Sequence, residues 1–465
     1  MPWPDQLVSM PMARVALVAP ATGLRRVLVE TADAGVFEPD HAPANGEPDG
    51  GGALTPDAKQ SATPPLLSQR YVPDEELDAV GRLDLLEGER RLRRLADNAQ
   101  RTSKCAVLTG WVPRQELDAL RSRLAPHGGA VTELTPRRGL TAPTAHRDRP
   151  STAAIRPLVS IYATIPYRDV DPTWFAGIAY MAMFGMMFGD VGHGLALIAL
   201  GAAARSWPES RIVRFRPAAP FLIGAGLAST LFGVLYGEAF GPTGLVPTVW
   251  IRPLEEPETL LLAGLVGGSC LLAITFVLAA VNRWREGGPT LALYDATGIG
   301  GALLFAGTAA AIGGAVGSTS WLMPTGSAIA ALGVVLTFLG LIVKAGRGAA
   351  AIAQAIVEMF DTVLRLGSNV VSFTRLAAFG LTHAVITGVV WDGTTSLLDR
   401  ATPLAGVAAV VLFAAGNLVA FGLGALVGAI QALRLEYYEL FSRLFTAEGR
   451  PFKPWHLPVE RSDLT

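Results

Sequence analysis

Apolar runs of roughly twenty residues recur along the last two thirds of the chain, and no other feature restricts its fold as much. They lie at about 173–189, 191–205, 217–240, 258–282, 290–315, 325–344, 350–394 and 402–446, which predicts about eight membrane spans. The first two are short and meet at Gly189-Asp190-Val191-Gly192-His193-Gly194. Glycines permit a turn there, so two helices and one kinked helix both fit. The last two exceed about 25 residues and must tilt or project from the bilayer.

Charge is concentrated in the first third. It makes up only 17% of the 465 residues, and the formal net charge of -1 argues against general nucleic-acid binding. Cys105 and Cys270, the two cysteines, lie in different regions, so no disulfide framework or thiolate metal site is implied. Met1-Pro2-Trp3-Pro4-Asp5 lacks the basic and apolar parts of a signal peptide, which places the polar region in the cytoplasm as an expectation. With that start, the inside loops hold Arg205, Arg211, Arg214 and Arg216, then Arg283 and Arg285, then Lys344 and Arg347, with Arg443, Arg450 and Lys453 at the end. The outside loops hold Arg252 with Glu255, Glu256 and Glu258, and later Asp392, Asp399 and Arg400. The pattern follows the positive-inside rule, and an even number of spans puts both termini in the cytoplasm of a multi-pass cell-membrane protein.

The polar third reads as a small α+β lobe in two halves. Residues 1–39 supply a strand at 12–20, a helix over roughly 23–34 and the start of a second strand at Gly35-Val36-Phe37. Residues 40–72, rich in Pro, Gly, Ala and Asp toward their start, read as a disordered linker. A charged helical arm occupies 73–102, with a helix at 74–101 that would span about 42 Å. The second half, 103–157, brings a strand around Cys105–Pro113, a short helix at 114–124, a strand near 130–134 and a polar linker from 135. The transmembrane domain follows at 158–446, then a tail at 447–465. The fold class is mainly α, a polytopic membrane protein with a small N-terminal α+β lobe and one helical arm.

One charge stands inside an apolar run. Arg375 cannot realistically shed its proton, costs at least about 2.5 kcal/mol at the middle of a membrane helix, and nearly always faces a partner or a water-filled path. On one continuous helix Asp361, Ser368, Ser372, Arg375 and Thr382/His383 share a broad face, with Glu358 at its edge. Asn417, Gln431 and Arg434 share a face of the next segment. Paired as an antiparallel hairpin, the two segments bring Arg434 near the level of Asp361 and Glu358, with Arg375 deeper.

Several motifs occur in order: Thr109-Gly110-Trp111-Val112-Pro113, Asp171-Pro172-Thr173, Met183 through Gly194, Leu235-Tyr236-Gly237-Glu238, Ser368 through Leu376, and Gln431 through Glu439. Together they resemble the membrane stator subunit of rotary V-type and A-type ATPases, called subunit a or subunit I, in the 116 kDa subunit family. The resemblance covers about 105–457. It departs from the family in its shortened cytoplasmic arm, in Asp361 where relatives usually carry Glu, and in Gly422 and Gly424 where some relatives carry an acid.

The resemblance implies a subunit that is not catalytic alone and needs no cofactor. Its implied partners are a proteolipid c-ring, peripheral stalk subunits, the central-stalk and catalytic ATPase subunits of the complex, and the lipid bilayer. Arg375 would deprotonate ring carboxylates. Glu358, Asp361, Gln431 and Arg434 would line a cytoplasmic half-channel with Ser372 beside them, and His383, Glu238 and either His193 or Asp190 an outer one. Plainer roles stand beside these. Arg434 at the interface fits snorkelling, Asp361 and Glu358 fit ion pairs with Arg365 or Arg434, and Asp190 fits a cap on the second segment. A secondary ion transporter with a charged midplane site and a non-transporting assembly scaffold or degenerate paralogue are the alternative functions. No G-x-x-x-x-G-K-[ST] phosphate loop occurs.

Overall fold

Strand β1 (Met12–Pro20) forms because Ala, Val and Leu crowd Ala13 to Ala19, and Val15, Leu17 and Ala19 are fully buried. The computed structural model describes residues 9–40, 64–135, 139–146, 150–206, 216–317, 319–445 and 449–460. Most of the expected linker 40–72, the loop residues Arg211 and Arg214, and the last five residues of the tail lie outside them. The chain divides into two compact units, residues 9–147 with 449–465, and residues 1–8 with 148–448.

In the first unit α1 (Leu24–Ala34) follows β1 and ends at Gly35, whose left-handed φ of 61° suits a residue without a side chain. Next come β2 (Glu38–Pro39), β3 (Leu67–Ser68), α2 (Asp74–Ala79), α3 (Leu83–Asp97), β4 (Gln100–Arg101), β5 (Cys105–Pro113), α4 (Leu117–Leu124) and β6 (Ala130–Glu133). The main sheet has the antiparallel order β2-β5-β1-β6, with β4 also on β5. β1 and β5 pair from Met12 opposite Pro113 to Pro20 opposite Cys105. A Cβ at Gly110 would lie 2.3 Å from the Glu38 carbonyl, so only glycine lets β2 cross there.

One expectation needs correction. The helix read over 74–101 is two helices, because Gly81 turns the chain with φ +74°. Arg82 then pairs with Asp84 and Glu460 and holds the Asp84 carboxyl below its usual range. The tail is built into this unit. β7 (Val459–Glu460) pairs in parallel with β3, the Trp455 amide donates to the Phe37 carbonyl, and His456 Nδ1 lies 2.9 Å from the Ala32 oxygen.

The second unit is helical. It opens with α5 (Pro150–Ala153) and α6 (Arg156–Tyr162), so part of the stretch read as polar linker is helix. Among the described residues six helical stretches are long and apolar enough to cross a membrane, and two more are apolar but short. The short ones are α7 (Thr173–Met187) and α8 (Val191–Ser206), two separate helices of 15 and 16 residues. The break follows from Gly189 and from Asp190, whose Oδ1 accepts the His193 amide at the start of α8. The predicted eight spans are therefore six of spanning length and a broken pair.

The long stretches are α9 (Ala219–Tyr236), α10 (Pro257–Tyr294), α11 (Ile299–Val316), α12 (Leu322–Ala345), α13 (Ala349–Ser372) with α14 (Thr374–Leu398), and α15 (Pro403–Leu435). α10 passes the expected end at 282 and changes direction at Gly288 (φ 78°, ψ -167°) before Pro289. After α15 the backbone loosens into a π-helix (Glu436–Phe441) and a last turn, α16 (Ser442–Leu444).

The predicted single helix over 350–394 is broken at Phe373. Its amide donates to Val370 and its carbonyl accepts from Leu376, both over three residues instead of four. The tightening has a packing cause. Phe373 is fully buried, and a Cβ added to Gly268 of α10 would sit 2.1 Å from its Cγ. The ring occupies the space that glycine leaves.

Gly268→Val is therefore expected to destabilise the helical unit by at least about 1–3 kcal/mol through overpacking. Gly267→Val, whose Cβ would meet only Met186 at 3.7 Å, is expected to be near neutral. Thermal unfolding of the two variants in detergent compares them, and equal melting points would refute the role given to the Phe373 contact.

Candidate functional site

Asp190 sits where α7, α8 and the segment after α9 meet. Fully buried, its carboxylate accepts three backbone amides at 2.9 Å: His193 and Phe240 at Oδ1, Gly241 at Oδ2. Phe240 has a φ of 54°, an outlier for a bulky residue. The Asp190 clamp holds that strained turn. Ser229 of α9 donates to the carbonyls of Phe188 and Asp190, and the Glu238 carbonyl accepts the Val191 amide. The sequence reading of Asp190 as a cap describes its geometry well, though the clamp on 240–241 was not visible from spacing.

Two histidines lie against this junction. His193 Nδ1 is 3.7 Å from Asp190 Oδ1 and 3.4 Å from Nε2 of His383 on α14. Both are buried, at 1% and 4% exposure, and the Phe188 ring lies beside both. A Cβ at Gly424 would fall 2.7 Å from His383 Nδ1, which leaves no room there for an acidic side chain. Asn417 of α15 donates to the Phe413 carbonyl, and its Oδ1 has no partner among the described residues. Glu238, also buried, completes the group. Burial first and the Asp190 charge second push its carboxyl up from the usual range.

Arg375 is placed differently. It lies on the first turn of α14, half-buried, between fully buried Phe373 and buried Leu376. Among the described residues it has no ion pair or hydrogen-bond partner. The residues read as one polar face fall on two helices, those up to Ser372 on α13 and Arg375, Thr382 and His383 on α14. Ser372 is half-buried and Thr382 is exposed, whereas His383 turns inward to His193. Asp361 pairs with Arg365 at 2.7 Å, and Glu358 accepts from Gln354 at 2.8 Å, both on the exposed side of α13. Arg434 is exposed near the end of α15, and Gln431 is half-buried with a buried, unpartnered Oε1. The antiparallel partner of α15 is α14, while α13 packs chiefly on α12. This departs from the simple hairpin expected.

Three buried groups escaped the sequence reading. Glu436, in the π-helix, has both carboxyl oxygens buried without a partner among the described residues. Tyr180 donates to the Ala429 carbonyl from α7. Asp169, just before α7, is fully buried, and burial followed by the nearby Glu286 charge raises its carboxyl. Glu436 lay within the quoted motif Gln431 to Glu439.

These features define a polytopic helical membrane protein with an unpaired arginine at a helix break and a buried acid–imidazole cluster. Residues 95–246 match the V-type ATPase 116kDa subunit family, so the resemblance read from the motifs holds over that stretch. The chain is also similar to A-type ATP synthase subunit I of Pyrococcus horikoshii, 23% identical over 400 residues that cover 82% of this chain and 58% of the relative. The corresponding proteins of Thermococcus kodakarensis and Aeropyrum pernix are each 26% identical, over 82% and 76% of this chain. The chain spans just under three fifths, 58%, of the length of these relatives.

Asp190→Ala would leave three amides without their acceptor, at about 1–3 kcal/mol for each one that stays buried. Asp190→Asn keeps one oxygen and is expected to lose clearly less. Thermal unfolding in detergent orders the two, and similar losses would contradict the clamp.

Proposed function

We propose that the chain is a non-catalytic stator subunit of a rotary A/V-type ATPase and carries protons past a ring of carboxylate-bearing proteolipids. The observation that carries this reading is Arg375, a permanent charge without a partner in its own chain among the described residues, fixed on a helix break inside an apolar segment. The names of the relatives point to the same complex. Two helices of the same unit carry exposed apolar side chains that fit an apolar partner. α13 exposes Ile356, Phe360 and Val363, and α15 exposes Val411, Leu418 and Leu426.

The chemistry follows from solvation. A ring carboxylate in lipid is neutral, because a bare charge in hydrocarbon is very costly. Beside Arg375 the ionised form gains a counter-charge, so an arriving site gives up its proton there and stays open. The fixed cation also repels protons, which prevents direct leakage between entry and exit paths. Ser372, Glu358, Asp361, Gln431 and Arg434 flank the cytoplasmic path in this reading. Glu238, His383 and His193 flank the outer one, with Asp190 holding the outer wall together. Moving each proton against 100 mV takes about 2.3 kcal/mol, supplied by ATP hydrolysis in other subunits.

Arg375→Ala is expected to abolish ATP-driven acidification of vesicles while the complex still assembles, as native gels would report. A variant complex that still pumped would end the proposal. Arg434→Ala is expected to slow pumping by several-fold without stopping it; unchanged rates would remove Arg434 from the path.

A further inference from the structure

The acid–imidazole junction has a property that neither the clamp nor a proton path requires. Asp190, His193 and His383 each offer a ligand atom, and these atoms lie within 4.8 Å of one another in a fully buried setting. Two of the separations are 3.4 Å, between the facing histidine nitrogens, and 3.7 Å, from His193 Nδ1 to Asp190 Oδ1. Ligand atoms around a tetrahedral zinc with bonds of about 2.0–2.1 Å stand roughly 3.3–3.5 Å apart, so small shifts would close this set around an ion. Asp190 Oδ1 accepts two backbone amides and Oδ2 one, so of roughly four acceptor positions one is left, on Oδ2.

The far sides of the rings point the same way. His193 Nε2 and His383 Nδ1 are buried without a partner among the described residues. An imidazole bound to a metal through its facing nitrogen carries N–H on the other, where it usually meets an oxygen acceptor. Asn417, near His193, has such an acceptor, its unpartnered Oδ1. The charge balance also favours a cation. Asp190 is a fully buried acid, and among the described residues it has no Lys or Arg ion-pair partner.

We propose that Asp190, His193 and His383 form a binding site for a borderline divalent transition metal of the zinc class, with a fourth coordination position open. Two imidazoles and one carboxylate select against magnesium and calcium, which take oxygen ligands. Occupancy would tie up the imidazole lone pairs and hold α8 and α14 to one another through the ion. The inference does not depend on the proton-path reading, because it is tested by bound metal alone.

The test uses the full chain, free of any histidine tag, purified in detergent, exposed to zinc sulfate and desalted. Elemental analysis is expected to find about one zinc per chain, and zinc X-ray absorption fine structure two imidazole ligands. His383→Gln is expected to retain at least about tenfold less zinc under the same conditions. The absorption spectrum of the unmodified chain decides the matter even where a variant fails to fold. No retained zinc, a spectrum with fewer than two imidazoles, or equal retention by folded His383→Gln would each overturn the proposal.

Discussion

The helical unit depends on one buried carboxylate. Asp190 gathers amides from the start of α8 and from the turn at 240–241, and its backbone oxygen takes the Ser229 hydroxyl of α9. The start of α8, the turn at 240–241 and α9 are thereby fixed around one residue. The arrangement works because α7 stops at Met187, which frees the acid to face neighbouring amides instead of continuing a helix. His193 and His383 then pack against a wall that is already rigid, so their facing nitrogens keep a defined separation.

Arg375 depends on a different kind of constraint. Nothing polar in the chain holds it among the described residues. Its place is set by the neighbour two positions earlier, Phe373, whose ring lies over Gly268 of α10 and tightens the helix for one turn. Apolar packing positions the charge, and the charge is left available. An ion pair within the chain would hold the guanidinium as well but would satisfy it in advance.

The sequence made some of this legible. The β1 and β5 strands, α1 and the apolar helices follow from patterns of two and of three to four residues, and a charge inside an apolar run marked Arg375. The broken pair at 188–190 was half-legible from its glycines. Other features were hidden because they rest on contacts between distant segments. The break at Phe373 depends on the hole at Gly268, the inward position of His383 rests on its contact with His193 of α8, and the Asp190 clamp depends on a turn fifty residues away. The expected polar face assumed a continuous helix, and so it grouped Asp361, Ser368 and Ser372 of α13 with Arg375 of α14 across the break at Phe373. Gly81 shows the same limit in the first unit, where a charged stretch read as one helix is two.

The pairing of β7 with β3 has a temporal consequence. β3 lies at residues 67–68 and its partner at 459–460, with every apolar helix made between them. During synthesis the first unit can form its main sheet early, since β1, β5 and β6 all precede residue 134. Its second sheet must wait until residues 459–460 have left the ribosome, and until then β3 keeps an unpaired edge. Completion of that sheet therefore reports that synthesis has passed residue 460, and a chain cut short within the membrane segments would leave the edge open for quality-control factors to find.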